Sequence, residues 1–348
     1  MKKKLALILA SAALAACGSN GSGSSGGGSG SQLKIVGSST VYPFTTAVAE
    51  EFQRANPGTS VIVESTGTGA GMKLFCSGIG ANFPDLTNAS RRMKKSEYDD
   101  CAKNGVNQVI EFPVGIDGLT VIQATGAPAM KLTLRDLYAA LAANPFGKGA
   151  NTAKTWKDVN PELPATPIRV LGPPPTSGTR DSLNELFVQK GCESDAAMKA
   201  LKDSDEDKHK DLCTKLREDG AFVEAGENDN LLVQKIASDP NALGVLGYSF
   251  LEENADKVRA VDINGVSPNE TTITDLSYPG ARKIYLYAKG EHFSSKPAIK
   301  EFLAAYAKAN GPGGSLQRRG LVPFGAQELA TAQEQGTKLA PLNATELK

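Results

Sequence analysis

Short β-rich runs hand over to amphipathic helices through turns built of glycine, serine and threonine. This recurring junction is the feature that most constrains the fold. Residues 33–36 read as a strand, and Phe44, Val48 and Phe52 then recur at helical spacing until Asn56-Pro57-Gly58 stops the helix. A second strand is expected at 60–64, with others at 110–114, 119–123, 168–172, 243–248, 258–263 and 283–288. Ile299, Phe302, Leu303 and Tyr306 form an apolar helix face ended by Asn310-Gly311-Pro312. Strands alternating with helices predict an α/β architecture with mostly parallel sheets flanked by helices.

The junctions themselves carry chemistry. Gly37-Ser38-Ser39-Thr40, Thr66-Gly67-Thr68-Gly69-Ala70-Gly71 and Thr176-Ser177-Gly178-Thr179 each lie where a strand gives way to a helix. Such a turn aims backbone N–H groups and hydroxyls at one point, and the helix N-terminus adds about half a positive charge. One turn of this kind is ordinary capping; three together favour a bound anion. A nucleotide site is excluded on two counts. Met72 stands where G-x-G-x-x-G needs its last glycine, and Leu74 follows Lys73 where a P-loop needs Ser or Thr.

The N-terminus points outward from the cell. Lys2, Lys3 and Lys4 precede an apolar run, 5–16, too short for the roughly 20 residues of a bilayer-spanning helix. It reads as a secretory signal peptide over 1–16. Leu14-Ala15-Ala16-Cys17 resembles the lipobox of bacterial lipoproteins, which implies lipidation at Cys17. The Gly/Ser run through residue 31 then forms a flexible tether reaching roughly 20 Å. About 315 residues remain, enough for two lobes. Formal net charge is zero, which gives no basic footprint for nucleic acid. Cys76, Cys101, Cys192 and Cys213 form an even set suited to disulfides in an oxidising compartment. Sequence proximity suggests 76–101 and 192–213, one of three connectivities. A zinc site is disfavoured by the lack of C-x-x-C spacing and by only two histidines, His209 and His292.

Taken in order, the turns resemble the phosphate-binding proteins of Pst-type ABC transporters. Gly37-Ser38-Ser39-Thr40-Val41 looks like that family's first anion loop, and Thr68 falls where its second supplies a hydroxyl. Asn88-Ala89-Ser90-Arg91 is similar to the third, and Ser177-Gly178-Thr179-Arg180 to the loop of the second lobe. Asn228-Asp229-Asn230, Tyr248 and Tyr278-Pro279-Gly280-Ala281-Arg282 also lie where family members carry similar residues. The resemblance spans residues 33–325. It implies a two-lobed class II periplasmic-binding-protein fold, with lobe one at 33–112 plus 285–348, lobe two at 119–278, and crossing strands near 112–119 and 278–285.

By this resemblance the ligand is inorganic phosphate, and the partner is an ABC transporter permease. The protein is expected to be a monomer anchored by lipid on the periplasmic or outer face of a bacterial membrane, with no cofactor, metal or enzymatic activity. An enclosed anion must receive a hydrogen bond at nearly every oxygen. Ser39, Thr40, Thr68 and Ser90 are the expected donors from one lobe, and Ser177, Gly178 and Thr179 from the other. Arg91 is the expected bidentate cation and Arg180 a second one. Family members often place Asp where Arg91 stands, so the acceptor of the ligand's proton is unassigned; Asp117 and Asp229 are its candidates. Alternatives are a binding protein for sulfate, molybdate or tungstate, an anion sensor, or an exported phosphatase. The last lacks a G-x-S-x-G elbow and clustered metal ligands.

Overall fold

The computed structural model describes residues 31–226 and 228–347, with the side chains of Ser31, Gln335 and Gly336 set aside. Cys17, the signal peptide and the Gly/Ser tether through residue 30 lie outside the described residues. Among the described residues eleven strands form: β1 Ser31–Gly37, β2 Thr59–Ser65, β3 Leu86–Ala89, β4 Val109–Ala124, β5 Lys131–Leu132, β6 Val170–Gly172, β7 Phe222–Glu224, β8 Leu243–Gly247, β9 Val258–Ala260, β10 Asp262–Ile263 and β11 Ala281–Lys289. Nine of them make one curled sheet in the order β2-β1-β3-β11-β4-β8-β6-β7, with β9 also on β4; β10 and β5 pair separately.

The sheet is parallel at its flanks and antiparallel at its centre. β1 pairs in parallel with β2 and β3, and β6 with β7 and β8. The central pairings β3-β11, β11-β4, β4-β8 and β4-β9 are antiparallel. The reason lies in β4. Its first part pairs with β11, from Val109 opposite Lys289 to Gly118 opposite Ala281, and its second part pairs with β8, from Leu119 opposite Gly247. One continuous strand therefore replaces the two expected at 110–114 and 119–123. β11 returns alongside it in the opposite sense. The β4–β11 register shifts between Ile284 and Tyr285, across from Gly115 and Pro113. Proline has no N–H for the ladder, so a bulge at this point costs least.

The apolar cores divide along the same strands. Ile110, Phe112 and Val114 of β4 and Ile284 and Leu286 of β11 pack with Leu33, Ile35 and the helix α1, Tyr42–Ala55. Ile116, Leu119 and Val121 pack instead with Trp156, Phe187, Leu243 and Tyr278. The chain's last part is less tidy than a simple return to lobe one. Val322, Phe324 and Ala332 join the core around Trp156, whereas Leu342 joins a cluster with Phe75 and Tyr287. Antiparallel bridges Ile116–Val322 and Ile110–Pro341 carry this tail along the first part of β4. Disulfides join Cys76 to Cys101 and Cys192 to Cys213. They staple, respectively, the helix α2, Thr68–Phe75, to Lys95–Lys103, and the helix ending at Cys192 to Glu206–Thr214. Among the described residues, no helix is long and apolar enough to cross a membrane.

Candidate anion-binding site

Two helices of lobe one begin in a way that leaves their positive ends open. α1 starts Tyr42-Pro43, proline suiting a first-turn position whose N–H has no helical partner. Neither α1 nor α2 has a side-chain cap or an acidic residue in its first turn. Their N-terminal N–H groups and partial positive charge are thus not quenched locally. Gly37 sets the first turn. Its φ is +123°, and a Cβ there would lie 2.2 Å from the Asn88 carbonyl oxygen. The close approach lets Ser38 donate to that oxygen at 2.9 Å and holds the Ser39 and Ser90 loops side by side.

The lobes touch at the second-lobe loop. Ser177 caps its own helix by accepting from the Thr179 N–H at 3.2 Å. A Cβ on Gly178 would fall 2.4 Å from the Ser39 carbonyl oxygen, so glycine is what lets this loop close on the first. The helix Gly178–Ser182 runs on through a π-helical turn, Leu183–Val188. Insertions of this kind recur at functional sites because they re-aim side chains.

At the centre stands Arg282, near the start of β11, its side chain only 11% exposed. Its Nε donates to Asp117 at 3.1 Å, and its Nη2 to Thr40 at 3.0 Å and Ser182 at 2.8 Å. Its Nη1 engages Glu185. Ser90 donates to the same Glu185 carboxylate at 3.2 Å and lies 2.9 Å from the Thr68 hydroxyl. Ser39 donates to Asp181. Burial pushes the Asp181 carboxyl up from its ordinary range, and the nearby Glu185 charge adds to the shift; the Ser39 bond opposes it. Segments far apart in sequence therefore share one polar array across the cleft. Beside it lies a cavity of about 600 Å³ lined by Ser39, Thr40, Asp117, Ser177, Gly178, Thr179 and Asp229, among others.

The two expected arginines make their hydrogen bonds outside this array, although Arg91 feels the charge of Glu185 and Arg180 that of Asp181. Arg91 makes a fork-to-fork pair with Glu97, at 2.9 and 2.7 Å, and a further bond to the Arg92 carbonyl. Although burial works against it, the Arg91 fork and the Lys94 N–H hold the Glu97 carboxyl below its ordinary range. Arg180 donates to the Pro173 carbonyl at 2.8 Å and lies over the Phe222 ring at 4.5 Å. Asn228 caps the helix Asp229–Ser238, and Tyr248 bonds Glu252. Sequence reasoning did not name Asp181, Ser182 or Glu185, and it named Arg282 only within the Tyr278–Arg282 stretch of the family resemblance, not as a ligand residue. Arg282 had one available signal: a cation at the start of a crossing strand is within reach of both lobes.

Comparison with known proteins fits this geometry. Residues 22–308 match the model of the PBP superfamily domain. The chain is 34% identical over 307 residues to Protein SphX of Synechococcus elongatus, covering 86% of this chain and 79% of that one. It is 31% identical to the phosphate-binding protein PstS of Staphylococcus saprophyticus, covering 84% and 81%. Among solved structures, a possible phosphate binding protein from Planctomyces limnophilus matches at a TM-score of 0.70 and 28% identity, over 88% of this chain and 98% of that one.

Proposed function

This chain belongs to the PBP superfamily and, within it, to the group that holds PstS and SphX; from that premise we propose that it captures inorganic phosphate between its lobes and delivers it to an ABC transporter permease. The observation that carries the reading is the Arg282 array. One buried guanidinium and hydroxyls from Thr40, Ser90 and Ser182 face a common point across the cleft. A hydrated dianion surrenders its water only to such a saturating set of donors.

In this reading Arg282 is the principal cation. Ser39, Thr40, Thr68 and Ser90 donate from lobe one, and Ser177, Gly178 and Thr179 complete the shell from lobe two. Ligand bonded to both lobes stabilises the closed form over the open one, and the permease reads that difference. Asp117, held by Arg282 and Ser182, serves to keep the guanidinium oriented. The protein acts without catalysis, as an extracytoplasmic monomer tethered through lipid on Cys17.

Calorimetric titration of residues 32–348 with phosphate, arsenate, sulfate, molybdate and tungstate tests this. Phosphate is expected to bind at micromolar concentration or tighter. Sulfate is expected to bind about a hundredfold more weakly, a gap of about 2.7 kcal/mol. Tighter binding of sulfate, molybdate or tungstate than of phosphate would reassign the ligand.

A further inference from the structure

The donors assigned to the ligand are not idle: an internal carboxylate already holds two of them. Glu185 comes from the second-lobe helix, is 46% exposed at its side chain, and accepts from both Ser90 and Arg282. Asp181, one turn earlier, accepts in the same manner from Ser39. Both carboxylates thus reach from lobe two to hydroxyls of lobe one. Asp117 also pairs with Arg282, but it is less exposed and lies on the crossing strand β4.

We propose that Glu185 is a built-in competitor for the anion site, which an incoming ligand must displace, and that it sets a threshold excluding monovalent anions. The inference rests on the cleft being the phosphate site.

A tethered carboxylate has an effective concentration on the order of millimolar at its own partners. A free monovalent anion offers no more charge than Glu185 and lacks the tether, so it does not win. A doubly charged tetrahedral oxyanion brings more charge and more acceptor oxygens. It can bond Arg282 and the hydroxyls of both loops at once, which Glu185 cannot, and it repels Glu185 toward solvent. The half-exposed side chain can swing out without unpacking the core. Displacement lowers apparent affinity by the fraction of molecules in which the site is self-occupied. Glu185 therefore costs the protein some affinity and returns selectivity.

Formate is the probe, since it matches the carboxylate without the tether. Phosphate would be titrated calorimetrically into the wild type, Glu185→Gln and Glu185→Ala, each with and without excess formate. Both variants are expected to bind phosphate about tenfold more tightly than the wild type. Formate is expected to weaken phosphate binding competitively in Glu185→Ala and to leave the wild type unaffected. Unchanged or weaker phosphate affinity in both variants would overturn the proposal, as would equal formate competition in wild type and Glu185→Ala. A wild type that takes up no phosphate would sink the functional reading itself, whereas a selective wild type with indifferent variants sinks this inference alone.

Discussion

Two of the clusters in which cations meet carboxylates, one buried and one at the cleft, differ in a telling way. The first lies wholly inside lobe one. Asp85, fully buried, accepts from His292 Nδ1 at 2.7 Å, Lys296 at 2.8 Å and the Lys34 N–H at 2.9 Å. His292 Nε2 accepts from the Gly80 N–H at 2.9 Å, which fixes the ring proton on Nδ1. The second is the Arg282 array, which spans both lobes and includes the half-exposed Glu185. Both use the same residue chemistry. The buried cluster is closed on itself and pins the strand ends and the loop around Gly80, while the cleft cluster is partnered by groups that can leave.

The largest expected effect breaks the buried cluster. Asp85→Ala leaves His292, Lys296 and a buried N–H without their acceptor and should cost about 3–5 kcal/mol of stability in denaturant unfolding. Because the cluster lies outside the cleft array, phosphate affinity of the folded protein should stay within about threefold. A large affinity loss there would erase the contrast between the clusters.

Arg282→Ala should do the opposite. It is expected to weaken phosphate binding about a hundredfold, about 2.7 kcal/mol, as read by calorimetry. Undiminished affinity would remove Arg282 from the site.

A third test sharpens the contrast through pH. Lys289, fully buried near Asp85, bonds the Gly78 carbonyl, and burial pulls its ammonium down to about 8. Between that pH and the ordinary lysine range, the unfolded chain holds a proton that the folded one has released, so stability rises with pH there. Lys289→Met should therefore stabilise by about 1–2 kcal/mol at pH 7, and the gain should shrink toward pH 10. A gain that does not vary with pH would show that the charge is not the cause.

The smallest effect is expected at Arg91. Its guanidinium belongs to Glu97 in a partly exposed pair, so Arg91→Ala should change phosphate affinity by less than about threefold. A tenfold loss would return Arg91 to the anion site.

Legibility in the sequence followed the range of the interactions involved. The helix α1 and the strands β1 and β2 could be read because apolar periodicity and the Asn56-Pro57-Gly58 stop are local. β3 was missed although it lies mid-sheet. Its four residues, Leu-Thr-Asn-Ala, are all buried, yet they show no alternation and hold little β-propensity. β7, shorter still at three residues, was also missed. The helix Ala326–Lys338 escaped because its apolar face is thin, with Ala332 its buried contact to the second core.

What the sequence by itself determined were the loops. Glycine at 37, with φ at +123°, and hydroxyls at 39, 40, 68, 90 and 177 specify backbone conformation and donors within a few residues; Gly178, by contrast, is required by the approach of the Ser39 carbonyl. Only the tertiary structure decided which arginine reaches the hydroxyls of both lobes. A guanidinium sits on a long, flexible stem and goes where a carboxylate meets it. Arg91 finds Glu97 six residues away, whereas Arg282 finds Asp117 across 165 residues of chain. That second meeting exists only once β4 and β11 lie side by side, and no pattern along the sequence encodes it.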